Sequence, residues 1–529
     1  MPNNLKSMQN LGYLVFAVVL FAIVYEHYPR LGWVDASIYN SYVIGDDSYQ
    51  YVDGFTVALN GATYQFSRLG HIIPLRILGD FVGNVEARRL YNFLLFTAFC
   101  TAAIKLTIAC VSNSGGRVLV LGFILLNPQF ISAIVFGGAD GPAAIYSFIS
   151  LVTLFFAARK RSGLLFLLAG IWFGLAFSAH IFALIPYFMV LIALCFGIRL
   201  VGFKDLKSYA QYLLLFVLGL ASVILVLSVF GNYLGLHQNY LVYSLGRIQA
   251  SAQGYGISFS PPLDFWKQNA SLWVGVVLLL ICSLIFDFRG VLNGQNQNSS
   301  SRKVAIFCFL FPLIFVVFFD FLIGGSLIAS PHYFNAFLPS FGIGVVHLIS
   351  SWNKSTGSLL RYLSYLAVVF ISFGAAILLP NNYALFSFNE IRSKNNLLSQ
   401  QSLETEVSRL IEKKIFNLVY SNSDQGGREG GMYVDYFMGK KRLFDYVDSL
   451  AYTFPWVGDK MHRVNLRDPS GMDIKLEKEL PTIVLSSTEI RLDETLGVIR
   501  ASLGVHAIKT RICGGYEPYQ WCMVIIEHG

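Results

Sequence analysis

The chain reads as an α-helical polytopic membrane protein with a C-terminal α/β domain of soluble character, and three observations predict this. Of its 529 residues, 55% are hydrophobic and only 13% charged, against roughly 25% charged in an ordinary soluble domain; the mean hydropathy is +0.57. Apolar runs of about 20 residues recur from Leu11 to Leu379, each long enough to cross a hydrocarbon core of about 30 Å. Beyond residue 380 the pattern stops and charged residues, Gly-rich turns and short β-prone runs return.

In chain order, the run 11–27 follows a single lysine and is not trailed by a small-residue cleavage site, so it reads as a retained helix and not a removed signal peptide. An outer loop follows over 28–88, too long for a simple connection. Within it, Tyr49-Gln50-Tyr51-Val52-Asp53-Gly54-Phe55 mixes aromatics with charge in the manner of an interfacial amphipathic helix. Further spans are expected at 89–112, 118–137, 143–158, 164–180, 182–198, 212–234, 270–286, 304–323, 336–351 and 362–380, about 11 with the first. The 164–198 stretch reads either as one bent pair or as something less regular. These spans, with the outer loop, make a transmembrane domain 1–380, followed by a C-terminal domain 381–529.

Short loops set the orientation. Arg117, Arg159-Lys160-Arg161, Arg199 with Lys204 and Lys207, Arg289, Arg302-Lys303, and Lys354 with Arg361 all fall on one side, while loops 138–142 and 324–335 carry no Lys or Arg. The positive-inside rule makes that side cytoplasmic and places both the outer loop and the tail in the periplasm. The same distribution accounts for the net charge of +8 and argues against a nucleic-acid partner. The polar segment Asn293 to Ser301 is a cytoplasmic linker without evident chemistry.

The tail opens with a polar helix expected over 398–418 and continues through strand-like runs at Phe416 to Tyr420, Thr482 to Leu485 and Met523 to Ile526. It reads equally well as a stabilising cap or as a substrate-binding module. Cys100, Cys110, Cys195, Cys282 and Cys308 lie in apolar spans as small buried thiols. Cys513 and Cys522 lie in the exported tail and close a short loop, which suits a disulfide in an oxidising compartment; no His or second Cys pair stands near them at metal-ligand spacing. The chain has no Walker A sequence, no Gly-x-Ser-x-Gly elbow, no His-Glu-x-x-His and no convincing internal repeat, which removes an ATP-driven engine and several hydrolase classes.

The acidic pair Asp46-Asp47 in Gly45-Asp46-Asp47-Ser48-Tyr49 is the first place to look for chemistry, because adjacent carboxylates beside a bilayer are costly unless solvated or used. Capping of an interfacial helix near Ser48 is the competing explanation. Asp46-Asp47-Ser48-Tyr49-Gln50-Tyr51, followed by Ala58-Leu59-Asn60-Gly61, resembles the Asp-Asp-Ala-Tyr-Ile and Asn-Leu-x-x-Gly pattern of polyprenyl-phosphate-dependent arabinofuranosyltransferases and their relatives in the GT-C superfamily. Gly138-Ala139-Asp140-Gly141-Pro142 is similar to the superfamily's Asp-x-Pro turn, and Pro331-His332-Tyr333-Phe334-Asn335-Ala336-Phe337-Leu338-Pro339 to its late Arg-Tyr-x-x-x-x-Leu-Pro element. Two positions depart from the pattern: His332 stands where Arg is common, and His180 where related enzymes often carry Lys, so any phosphate contact there would depend on a titratable group.

The resemblance implies a GT-C type bundle that transfers a sugar, arabinofuranose being one candidate, from a polyprenyl-phosphate carrier to a glycan, lipid or protein acceptor such as a pilin, at the outer face of a bacterial inner membrane. One carboxylate of the pair would act as base, Asp46 slightly favoured, while the other would orient substrate or bind a divalent cation. Outer-face groups suited to the donor phosphate are Arg68, His71, Arg76, His180, Arg247, Lys267 and His332, although anionic lipid headgroups could claim several of them. Asp140 and Tyr333 are candidates to line the same cavity, Asp140 being equally what a tight turn selects. The rival readings are a polyprenyl-diphosphate-dependent glycan polymerase or ligase, and a transporter or flippase for lipid-linked saccharide.

Overall fold

A computed structural model of the chain describes residues 67–82, 84–125, 130, 134, 140–197, 206–233, 239–246, 263–292, 299–322, 331–352, 390–411, 415–421, 450, 461–464, 476–477, 479–486, 489–503, 507–516 and 519–527. These fall into two compact units, a helical one formed by 67–74 with 89–352, and a second one comprising 75–82, 84–88 and 390–527. The expected spans 11–27 and 362–380, and the interfacial segment at Tyr49 to Phe55, lie outside the described residues.

The helices are α1 (Leu69–Val82), α2 (Asn84–Cys110), α3 (Ser114–Leu125), α4 (Asp140–Lys160), α5 (Gly163–Ala179), α6 (Leu184–Gly197), α7 (Leu206–Tyr233), α8 (Leu263–Leu292), α9 (Ser299–Leu322) and α10 (Pro331–Trp352). Each expected span from 89 to 351 lies on one of α2–α10, the described part of 118–137 being the end of α3 with two further helical residues. Among the described residues, four helices are long and apolar enough to cross a membrane, with windows Leu90–Cys110, Gly141–Lys160, Ala210–Phe230 and Ser301–Phe319. Of the two readings of the 164–198 stretch, the bent pair is the one observed: α5 and α6 are separate helices joined through His180 and a 3₁₀ turn, Ile181–Ala183. Asp140-Gly141-Pro142 is the first turn of α4 and not a free turn; proline fits there because the first helical residues need no N–H partner.

Lipid tails offer helices no hydrophobic reason to associate, so close backbone packing decides which pairs form. The α5–α7 pair shows this. A Cβ on Gly170 would fall onto the carbonyl oxygen of Phe216, and one on Gly219 onto that of Leu167. Matching positions advance together along the two chains (Gly163 with Leu215, Gly170 with Phe216, Gly174 with Val223), so α5 and α7 run parallel.

Such contacts also fix which helix ends lie together. A two-residue connection joins α4 to α5, so the start of α4 and the end of α5 share one end of the bundle. Gly342 of α10 approaches Phe148 of α4, and Ser350 Oγ donates to Cys110 O over 2.7 Å, which runs α10 parallel to α4 and α2. Trp273 of α8 meets Phe337 and Phe341 of α10, so α8 also begins at that end. The opposite end collects the basic turns: Arg159 Nη1 donates to Ala109 O (3.4 Å), Arg117 Nε to Val111 O (2.8 Å), and Arg302 pairs with Asp287 at 3.3 Å.

The second unit centres on a five-stranded sheet of order β2-β1-β3-β5-β4, with β1 (Asn417–Ser421), β2 (Met461–Val464), β3 (Thr482–Ser486), β4 (Ala507–Tyr516) and β5 (Tyr519–Glu527). β1 pairs parallel with β2 and β3; β3–β5 and β5–β4 are antiparallel. Two helices sandwich it, α11 (Glu390–Leu410) and α12 (Glu489–Leu503). Leu403 and Val407 of α11 pack with Leu418, Ile483, Leu485, Trp521 and Met523 on one face, while Leu492, Leu496 and Ile499 of α12 pack with Val419, Val484, Cys522 and Val524 on the other. Burial on both faces is why the central strands β1, β3 and β5 carry runs of consecutive apolar residues.

The polar helix expected at 398–418 instead spans Glu390–Leu410. Residues 417–418 belong to β1 because their backbones pair with β3, and at Leu418 with β2 as well. Buried Asn417 fastens the start of β1, its Nδ2 donating to Glu477 O (2.9 Å) and Thr482 Oγ1 (3.2 Å). Cys513 and Cys522 face each other across the β4–β5 hairpin in a disulfide with a Cα–Cα distance of 4.1 Å, a crosslink that contributes roughly 2–3 kcal/mol on a chain-entropy estimate.

Candidate functional site

The helix directions place many of the sequence candidates at a single end of the helical unit, away from the basic turns. Arg68 and His71 stand at the start of α1; Asp140 is the first residue of α4; His180 follows the last residue of α5; Lys267 lies in the second turn of α8; His332 and Tyr333 lie in the first turn of α10. Asp46, Asp47 and Arg247 lie outside the described residues, and the side chains of Arg76, Asp140, Lys267, His332 and Tyr333 are not described either.

The segment entering α1 is held tightly against the exit of α5. Gly70 lies on the backbone of Leu175 and Ala179 and on the Ser178 side chain, with no room for a Cβ. His71 is buried, and its Nδ1 shares a hydrogen bond of 3.3 Å with the Tyr91 hydroxyl. Tyr91 in turn shares one of 2.9 Å with the Tyr146 hydroxyl, and Tyr146 lies against Trp172 with ring centroids 5.7 Å apart. The imidazole of His71 is thus tied through two phenols to α2 and α4, which fixes its ring on the bundle side.

His180 is extended (φ −154°, ψ 119°) between α5 and the 3₁₀ turn. Its N–H donates to Ala176 O (3.1 Å) and its carbonyl accepts from Ala183 N (2.9 Å), while Nδ1 accepts from Phe182 N at 3.3 Å. In the neutral ring that this bond fits, Nδ1 is the acceptor and the proton sits on Nε2. Next to it, Phe182 meets Phe315 of α9 and Phe337 of α10, so the 3₁₀ turn is anchored among the ends of three helices.

Chemically, this end offers a guanidinium, imidazoles and hydroxyls. Those groups suit a phosphate, since Arg can grip two of its oxygens at once. Among the described residues no group of three or more His, Cys, Asp or Glu could hold a metal ion. Sequence reasoning overlooked Tyr91, Tyr146 and Tyr240. The available signal was tyrosine within or beside apolar runs, where a buried hydroxyl requires a partner.

Length, composition and helix arrangement define a multi-pass membrane protein with a polar, cation-bearing end. No family model matches the chain, and no curated protein is similar to it in sequence. Among solved structures it is similar to that of ArnT from Cupriavidus metallidurans in the apo state, at a TM-score of 0.46 and 11% identity, covering 98% of each chain.

Proposed function

We propose that the chain is a GT-C type glycosyltransferase of a bacterial inner membrane that takes a sugar from a polyprenyl-phosphate carrier and transfers it to a glycan, lipid or protein acceptor at the periplasmic face. The observation that carries this reading is the gathering of Arg68, His71, Asp140, His180, Lys267, His332 and Tyr333 at one helix end, opposite the turns rich in Lys and Arg. Cations at the end that the positive-inside rule leaves poor in charge call for an anionic ligand. A transporter would instead need its polar groups near the midplane of broken helices. Arabinofuranose is the sugar favoured by the resemblance of the acidic loop.

The chemistry follows from the donor. The acceptor hydroxyl oxygen bonds to the anomeric carbon as the carbon–oxygen bond to phosphate breaks, and the bonding pair leaves with the phosphate. One carboxylate of Asp46 and Asp47 takes the hydroxyl proton, an arrangement that inverts the anomeric centre. Arg68, His71, His180, Arg247, Lys267 and His332 stabilise the departing phosphate, with Asp140 and Tyr333 lining the same cavity.

Sugar transfer from a synthetic polyprenyl-phosphate donor, measured with purified full-length protein in detergent, tests this. Replacing the base, by Asp46→Asn or Asp47→Asn, should preserve donor binding and lower turnover by roughly 10²–10⁴-fold, the other replacement being milder. Near wild-type turnover in both variants would falsify the assignment. Scrambling of lipid-linked sugar without transfer would favour the flippase.

A further inference from the structure

Tyr240 belongs to none of the motifs above, yet its hydroxyl joins the two chain segments that carry Arg68 and His180. The Tyr240 hydroxyl donates to Ser67 O at 2.7 Å and to Ser178 O at 3.0 Å, sharing its proton between them. Ser178 is in the last turn of α5, where carbonyls have no partner within the helix, so this phenol meets a demand that the helix end creates. The side chain is wholly buried. Its own backbone is held as well, with Tyr240 N donating to Ser228 Oγ of α7 at 3.1 Å.

The two acceptors are telling. Ser67 O immediately precedes Arg68, and Ser178 O lies two residues before His180. Gly70 presses onto the same turn of α5 from the side. One hydroxyl and one glycine contact therefore join directly the two segments that carry the guanidinium and the imidazole.

We propose that Tyr240 is a positioning residue for the phosphate-binding end, holding the entry of α1 to the exit of α5 so that Arg68 and His180 act on one phosphate group. The inference rests on the proposed function for the identity of that ligand. Without the hydroxyl, the two segments keep their secondary structure but lose their fixed separation.

The experiment is a double-mutant cycle on binding of a short-chain polyprenyl monophosphate to purified full-length protein in detergent. Tyr240→Phe should weaken binding by about 3- to 10-fold, the scale of one hydrogen bond. In an Arg68→Ala background the same replacement should have less than about a twofold further effect, because residues coupled through one site are not additive. Ser228→Ala, which releases the Tyr240 backbone, should give a smaller effect with the same dependence on Arg68, and it serves as the probe should Tyr240→Phe fail to fold. Equal effects in both backgrounds would mean a merely structural tyrosine and would overturn the inference. Weakened binding in Arg68→Ala and His180→Ala with none in Tyr240→Phe would overturn it while leaving the phosphate reading intact. Unchanged binding in Arg68→Ala and His180→Ala would overturn both.

Discussion

The same residue types face opposite ways in the two units. On α7 of the helical unit, Leu213, Leu214, Leu218, Leu225 and Val229 are exposed, Leu225 to 66%, whereas Leu418, Ile483, Leu485 and Val524 of the sheet unit are wholly buried. Glycine shows the reverse: Gly170 of α5 is locked against the Phe216 carbonyl, while Gly497 of α12 has open space where a Cβ would go. The solvent explains both contrasts. Water drives apolar side chains inward, but a lipid surface does not, and helices there associate through small residues that let backbones meet.

The sharpest way to break this contrast is to fill the glycine contact. Gly170→Leu should separate α5 from α7 and remove most of the folded protein from a size-exclusion profile in mild detergent, while Gly122→Leu, a helical glycine with open space around it, should leave the profile unchanged. A normal profile for Gly170→Leu would mean that the α5–α7 approach does not hold the unit together.

A smaller effect compares leucines. Leu485→Ala, buried between β1 and β5, should cost about 2–5 kcal/mol in chemical unfolding followed by a probe in the sheet unit. Leu218→Ala, 49% exposed, should shift the thermal midpoint in detergent little, as surface replacements within about 0.5 kcal/mol do. Equal sensitivity at the two positions would refute the idea that α7 presents its leucines to lipid. The smallest effect has the opposite sign: Gly497→Ala should stabilise the sheet unit by about 0.4–1 kcal/mol, since alanine lowers unfolded-chain entropy where the native helix accepts it. Destabilisation there would show that α12 is more crowded than its open glycine indicates.

The legibility of the sequence follows how local each determinant is. The spans from 89 to 351 could be read because a helix in lipid must be an apolar run of fixed length. The Cys513–Cys522 pair could be read because its partners are only nine positions apart. The bounds of the tail helix, Glu390–Leu410 against an expected 398–418, are less legible, because whether residues 417–418 continue a helix or enter a strand depends on β2 and β3 beside them. Arg68, His71 and His180 stood out as cations on the side poor in Lys and Arg, whereas the phenols that fix their surroundings did not, since tyrosine in an apolar run ordinarily reads as an interface residue.

By itself, then, the sequence determined that this is a polytopic helical chain with a soluble-type tail, which end of its helices bears the candidate cations, and that its tail carries a disulfide, since hydropathy, charge and short-range spacing are properties of local segments. Only the tertiary structure decided that Gly170 and Gly219 bring α5 and α7 together, that His71 is tied to Tyr91 and Tyr146, and that Tyr240 joins carbonyls 173 and 62 positions away. Those contacts depend on helix directions and on backbone groups left unpaired at helix ends, and such partners are chosen by proximity in space and not by spacing along the chain.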